Sequence, residues 1–264
     1  MVKTKKVLEK LYLVIIFLFL YLPIGVLIVL SFNNSKSRVQ WGGFTLNWYK
    51  ELFASRVIMD AFYTTIFVTL TASILATILG TLAAIGIYGM KKRQKVIMLG
   101  ATNIPLLNAE IVTGISLMLL LIRFTSLGVN TILIAHITFN LPYVILNVLP
   151  KLNSLSPNIY EAALDLGASR SYAFWKVIWP DIKGGVFSGL LMSITLSLDD
   201  FTITYFTKGP GTNTLSTMIY TEMKKGIKPE MYALSTILFL IALVLLLLMN
   251  YRSSRKNTAL KAVN

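Results

Sequence analysis

Apolar residues occupy this chain in long unbroken runs separated by short polar stretches, a pattern that belongs to buried or lipid-exposed helices rather than to half-buried strands. The first run, from Leu11 to Phe32, exceeds the about 20 residues that cross a bilayer core as helix. Further runs at about 61–88, 96–122, 131–149, 184–206 and 231–251 predict, with about 11–32, six transmembrane helices in one all-α domain covering 1–264. The first run ends in Leu30-Ser31-Phe32-Asn33-Asn34 without a small-residue cleavage site, so it reads as an uncleaved anchor and not as a signal peptide. Pro105 and Pro142 fall inside two of the runs, where membrane helices tolerate them.

Within the runs, small residues recur at every fourth position. Ala72, Ala76, Gly80 and Ala84 form one such stripe, and Gly185, Gly189, Ser193 and Ser197 another. Small residues at this spacing let a second helix approach closely, so both stripes predict packing faces inside a bundle. Between the first two runs, Leu46 to Phe53 is amphipathic and aromatic, suited to lying along the membrane interface.

Composition agrees with a polytopic membrane protein: 55% of 264 residues are hydrophobic, more than one soluble core of this size needs. The absence of cysteine excludes disulfides, thiolate metal sites and thiol catalysis. One histidine, with no HExxH motif and no Gly-rich phosphate loop, argues against a self-contained metalloenzyme or ATPase. We therefore expect no enzyme activity and no cofactor bound by this chain.

The net charge of +14 would suit nucleic acid if it formed one patch, but its placement says otherwise. Counting alternate crossings puts Lys3, Lys5, Lys6, Lys10, Lys91, Lys92, Arg93, Lys95, Lys151, Arg170, Lys176, Lys183, Arg252, Arg255, Lys256 and Lys261 on one side, 16 of the 25 basic residues. By the positive-inside rule that side is cytoplasmic, as are both termini, and the charge needs no nucleic acid to explain it. The basic tail reads as a topogenic, lipid-contacting end.

This assignment leaves a cytoplasmic segment at about 151–183, the one long amphipathic stretch of the chain. Ser156 is a good N-cap with Pro157 at the first helical position, and Gly167 is placed to end that helix in a left-handed conformation. Ser169 or Ser171 caps a second helix, and Pro180 is expected to close it before the fifth span. The second helix carries Tyr172, Phe174, Trp175 and Trp179, more aromatic surface than a solvated loop leaves exposed. On local pattern alone, the segment is either a docking handle or an interfacial hairpin that caps the fourth and fifth spans.

The residues of this segment carry a resemblance. Glu161-Ala162-Ala163, then Gly167 after three residues, then Val177, Trp179 and Pro180 match the spacing of the EAA loop of ABC importer permeases, with Val177 and Trp179 in place of isoleucine and leucine. The resemblance extends to spermidine/putrescine importers, and among them to the second of their two permease subunits, through the stretches Ala109 to Leu117, Ala135 to Pro142, Ser197 to Phe201 and Thr207 to Pro210. It departs at Glu110, where similar permeases have aspartate. It implies the type I ABC importer permease fold, with Glu161, Ala162, Ala163, Gly167 and Pro180 forming a coupling helix that docks on an ATP-hydrolysing partner. It further implies alternating access in a bacterial cytoplasmic membrane, an ABC ATPase dimer that uses ATP and Mg, a second permease subunit forming a heterodimer, and an extracytoplasmic polyamine-binding protein.

Candidate substrate chemistry comes from carboxylates within the runs. An ionised side chain at the centre of a span costs about 2.5–3.5 kcal/mol on insertion scales, so it faces a partner, a cavity or a ligand. Counting about 1.5 Å per helical residue places Asp199 and Asp200 about 23 Å and Glu110 about 21 Å from the cytoplasmic ends of their spans. Equal depth and no nearby basic residue suit a passage for a polyammonium chain; the other reading of each carboxylate is structural. Trp48 either stacks on a substrate ammonium or anchors the interface, and His136 is either a hydrogen-bonded packing residue or a proton relay. At the level of the whole protein, ABC permeases for thiamine, iron or phosphonate and an ion- or proton-coupled secondary transporter are the competing functions.

Overall fold

The computed structural model describes residues 2–35, 39–226 and 228–261, with backbone alone for 2–9, 157–158, 245 and 248–261. Lys36 and Arg38, which the alternate crossings assign to an outer loop, lie outside the described residues. Regular structure among the described residues is helical apart from one isolated antiparallel bridge, Asn33 to Phe44. In chain order the helices are α1 (Val2–Ser31), α2 (Asn47–Ala54), α3 (Arg56–Tyr88), α4 (Lys92–Leu107), α5 (Glu110–Leu121), α6 (Val129–Asn153), α7 (Pro157–Asp165), α8 (Arg170–Ala173), a π-helical turn (Phe174–Ile178), α9 (Trp179–Asp199), α10 (Thr202–Thr207), α11 (Leu215–Lys225) and α12 (Pro229–Lys261).

Three of these helices are long and apolar enough to cross a membrane unaided: Lys10–Ser31 of α1, Arg56–Tyr88 and Val129–Asn153. The sequence predicts six spans, and two of the remaining ones depart from a straight rod. The span expected at 96–122 is two helices, α4 and α5, bent by 105°. Pro105 lies inside α4, and the bend falls after it, where Asn108 and Ala109 are extended with ψ of 149° and 136°. The span expected at 184–206 begins earlier, at Trp179, and stops at Asp199; Asp200 is extended (ψ 123°) and α10 follows as a separate short helix. Measuring depth along a straight helix therefore fails for Glu110, which lies beyond the bend, and for the residues after Asp199. The last span contributes the shorter apolar stretch Pro229–Val244.

The chain divides into two compact units, Met1–Met59 with Ile219–Val244, and Asp60–Met218 with Leu245–Asn264. In the first unit, Asn33 organises the turn after α1. Its buried amide accepts from the Gly42 backbone N–H at 2.7 Å and from that of Ser35 at 3.2 Å, and donates to Gln40 O at 2.9 Å. Apolar side chains of α1 from Leu11 to Ile15 are more than half exposed.

In the second unit the two small-residue stripes pack as the sequence predicts. Ala72, Ala76 and Ala84 of α3 are fully buried. A Cβ added to Gly80 would lie 2.7 Å from Val144 Cβ, and one added to Gly189 of α9 would lie 3.2 Å from Val144 Cα. Val144 of α6 is thus held between two glycines; a Cβ at Gly80 would force it to shift, and one at Gly189 would press it by a few tenths of an ångström, the close approach that small residues allow. Gly185 is as tight: a Cβ there would meet Asn147 O at 2.6 Å. At one end of this packing, Ala84, Ile87, Val148, Leu149, Leu152 and Ile182 form a buried cluster against which Ile178 and Trp179 lean.

Candidate functional site

The bends described above bring the membrane carboxylates to one cavity. Glu110 is the first residue of α5, Asp199 the last of α9, and Asp200 the extended residue between α9 and α10. All three line a cavity of about 240 Å³ whose other walls include Thr113, Phe139, Tyr143, Thr195 and Phe201. The convergence predicted from equal depth holds, but by another route: broken helices, not straight ones, present the groups. α10 reaches this place by packing on α5, where a Cβ at Gly114 would lie 3.1 Å from the Phe206 ring and 3.4 Å from Ile203 Cα.

The three carboxylates differ in surroundings. Glu110 and Asp199 are exposed, and among the described residues neither forms an ion pair or hydrogen bond with a side chain. Asp200 is saturated. Its carboxylate accepts from the backbone N–H groups of Ile203 (3.2 Å) and Thr204 (2.8 Å) and from Thr204 Oγ1 (2.7 Å). His136 Nε2 lies 3.4 Å from Asp200 Oδ2 and 2.8 Å from Thr204 Oγ1. Because Thr204 spends its proton on Asp200, its oxygen accepts from His136, which assigns the proton to Nε2. His136 is 1% exposed and Asp200 has a side chain 6% exposed. His136 is thus the hydrogen-bonded packing residue, on a network that reading along the sequence missed, since it joins α6 to the break between α9 and α10.

Trp48 belongs to the first unit. It is 7% exposed within the first unit, and its indole N–H donates to Asn33 O at 2.7 Å. The buried ring and the engaged N–H favour the anchoring use of Trp48 over stacking on a substrate ammonium. Aromatic walls at the cavity come instead from Phe139, Tyr143 and Phe201. Phe139 and Tyr143 stand at i and i+4 on one helix, a signal present in the sequence but indistinguishable there from core filling.

The hairpin at 151–183 forms largely as its caps predict. Ser156 is extended before α7, Pro157 is the first helical residue, and Gly167 has φ of +84°. The backbone N–H of Ala168 bonds to Ala163 O and that of Gly167 to Leu164 O, closing the end of α7, as a left-handed glycine allows. Ser169 Oγ accepts from Tyr172 N at 3.3 Å, which selects it over Ser171 as the second cap. Pro180 is a correction: it does not close the second helix but sits in the first turn of α9, directly after the π-helical turn Phe174–Ile178. Proline lacks an N–H and crowds the carbonyl four residues back, and a wider π turn absorbs such an interruption without ending the helix. Glu161 and Ala162 are exposed and Ala163 half-buried, while Ile159, Leu166, Tyr172 and Trp175 are 57%, 89%, 59% and 58% exposed. The hairpin therefore presents an apolar surface that no described residue covers.

The protein family described as "Binding-protein-dependent transport system inner membrane component" matches residues 76–256. The chain is 35% identical over 247 residues to the spermidine/putrescine transport system permease protein PotC of Haemophilus influenzae, covering 93% of this chain and 96% of that protein. It is also 35% identical over 231 residues to the putrescine transport system permease protein PotI of Escherichia coli K12, covering 84% and 82%. Among solved structures, a bacterial ABC transporter involved in the import of the acidic polysaccharide alginate superposes with a TM-score of 0.72 at 20% identity, covering 96% of this chain and 97% of that one. An inward-facing structure of the MetNI methionine ABC transporter gives a TM-score of 0.59 at 15% identity, covering 78% and 98%. An all-helical chain with apolar spans, a capped hairpin and full-length similarity to importer permeases is a bacterial membrane protein of the binding-protein-dependent transport system inner membrane component family, built on the ABC importer permease fold.

Proposed function

We propose that this chain is one permease subunit of an ATP-driven importer for polyamines of the spermidine and putrescine class. The observation that carries the substrate is the 35% identity, over nearly the whole of both chains, to a permease of a spermidine/putrescine system. The cavity chemistry supports it. Glu110 and Asp199 are two carboxylates without a cationic partner among the described residues, and a linear polyammonium supplies the missing charge at spaced points. Phe139, Tyr143 and Phe201 add aromatic faces that attract ammonium groups by about 0.5–2 kcal/mol each. A volume of about 240 Å³ is below the roughly 300–1,000 Å³ of ordinary small-molecule sites, which suits a slender chain. The same carboxylates repel a phosphonate.

In this reading the substrate arrives from an extracytoplasmic polyamine-binding protein, and the passage forms between this chain and a second permease subunit of different sequence. An ABC ATPase dimer binds ATP and Mg; this chain binds no cofactor and makes or breaks no bond. ATPase closure acts on the hairpin through Glu161, Ala162, Ala163 and Gly167, and Pro180 with its π turn joins that hairpin rigidly to α9. α9 ends at Asp199, so movement of the hairpin reaches the cavity along one helix, and the cavity alternates between outward- and inward-facing states. Both termini lie in the cytoplasm, with lipid around the spans.

Uptake of radiolabelled spermidine and putrescine by cells carrying the complete importer tests the reading. Wild type should accumulate polyamine, and Glu110→Gln and Asp199→Asn should each raise KM about tenfold or more, since a charge-assisted hydrogen bond contributes about 1.5–3 kcal/mol. Unchanged KM in both variants would remove the acidic cavity from the pathway, and no accumulation by wild type would remove the polyamine assignment.

A further inference from the structure

Two adjacent aspartates at the end of α9 look alike in sequence, yet the structure gives them opposite surroundings. Asp199 is exposed to the cavity and has no cationic partner among the described residues; Asp200 is held by three donors from α10, one of which, Thr204 Oγ1, accepts in turn from His136 of α6. We infer that His136 and Asp200 form a positioning lock that fixes the break between α9 and α10, and that this lock, through the adjacent peptide, sets the direction in which Asp199 faces the cavity.

The inference stands on geometry throughout the second unit. α10 has only six residues, Thr202–Thr207, too short to hold its own conformation without external bonds. Those bonds come from three directions. At its start, the Asp200 carboxylate takes the Ile203 and Thr204 N–H groups and is joined to α6 through His136 and Thr204 Oγ1. At its end, Thr131 Oγ1 of α6 donates to Thr207 O at 2.7 Å. On the break itself, Ser216 Oγ of α11 donates to the Asp200 carbonyl at 2.6 Å, and α11 is in turn tied to α3 by the Leu215 N–H donating to Thr65 Oγ1 at 2.8 Å. His136 is absent from the cavity lining, whereas Asp200 shares its edge, so any effect of His136 on the site must pass through Asp200 and Thr204. Removing the imidazole would leave Thr204 Oγ1 without its donor and take away the ring that lies 3.4 Å from the Asp200 carboxylate, inside a bundle where weakening the surroundings of a buried charge is costly, and the break would relax.

The role of Asp199 as a substrate-facing carboxylate rests on the polyamine reading above; the lock does not, so the test reads each separately. Because the chain has no cysteine, Asp199→Cys provides a single thiol whose modification by a cationic methanethiosulfonate reagent, measured on this chain by mass in membranes holding the assembled importer, reports its presentation without any substrate. His136→Leu should change the modification rate at least fivefold, His136→Gln, which keeps a donor, should restore it to within twofold, and combining His136→Leu with Asp200→Ser should add nothing beyond either alone. Co-purification of the ATPase and second permease subunit identifies variants that still assemble; if His136→Leu does not, the comparison of His136→Gln with Asp200→Ser carries the test, the first expected near wild type and the second at least fivefold away. A modification rate indifferent to His136→Leu, or additive effects of the two positions, would overturn the lock. Spermidine KM in the cysteine-free background supplies the other arm: Asp199→Asn should raise it about tenfold, and Asp200→Ser should chiefly lower Vmax. A KM rise in Asp200→Ser equal to that in Asp199→Asn would make the second aspartate a substrate ligand and overturn its positioning role. An unchanged KM in Asp199→Asn with an intact labelling pattern would instead remove the polyamine reading and keep the lock.

Discussion

At the scale of single residues, identity alone does not decide role; the partners available in the fold do. Trp48 and Tyr143 are both aromatic residues near polar sequence, but Trp48 donates its indole N–H to Asn33 O and is buried, while Tyr143 faces the acidic cavity. The difference yields a direct expectation. Trp48→Phe keeps an aromatic ring but removes one buried donor and leaves the Asn33 carbonyl without it, a loss of about 1–3 kcal/mol. Purified importer carrying Trp48→Phe should therefore melt a few degrees lower with unchanged spermidine KM; a raised KM at full stability would return Trp48 to the pathway. Glu110, by contrast, gains from its place at the first residue of α5, where the positive end of the helix favours a carboxylate while leaving its oxygens free for a cation.

At the scale of elements, termination decides what the helices can do. α7 ends at Gly167, whose φ of +84° costs a residue with a Cβ about 1–2 kcal/mol. Gly167→Ala should therefore distort the return into α8. Because the cavity lies elsewhere in the fold, the expected signature is a several-fold lower Vmax of uptake and weaker stimulation of ATP hydrolysis by loaded binding protein, with KM for polyamine unchanged. Normal ATPase stimulation in that variant would separate the hairpin from coupling. Pro180 illustrates the limit of reading terminators along the chain: a proline ends a helix only if the preceding turn stays α-helical, and here Phe174–Ile178 widens to a π turn so that the helix continues into α9. Similarly, the third and fifth spans break at Asn108-Ala109 and Asp200; neither break falls at the proline.

At the scale of the molecule, the charge distribution predicts which ends face the cytoplasm, and a cysteine-free chain makes that measurable. Single cysteines at Lys92 and Lys225 should differ in intact cells: a membrane-impermeant maleimide should label Lys225→Cys and not Lys92→Cys, and permeabilised cells should show both. The reverse pattern would invert the orientation and place the EAA hairpin away from any cytoplasmic ATPase. The fold itself, shared with importer permeases at TM-scores of 0.59 to 0.72, persists at 15–20% identity because small-residue stripes and helix ends need only size and backbone conformation, which many sequences supply.

Hydrophobic run length, the alanine and glycine stripes and the caps of the hairpin are local or periodic properties, so the sequence by itself determined that this is an all-helical membrane protein, where its helices pack and where a capped hairpin interrupts its spans. Glu110, Asp199 and Asp200 were legible as misplaced charges for the same reason: an ionised group among apolar neighbours is anomalous wherever the chain goes. Their separate roles were not legible. Whether a carboxylate is free or saturated depends on donors that are remote in sequence, as His136 is from Asp200, and on helix breaks that arise when tertiary bonds outweigh local helix propensity. Only the tertiary structure decided that Asp199 and Glu110 face a shared cavity while Asp200 holds its wall, since partners 64 residues apart are a property of packing and not of pattern.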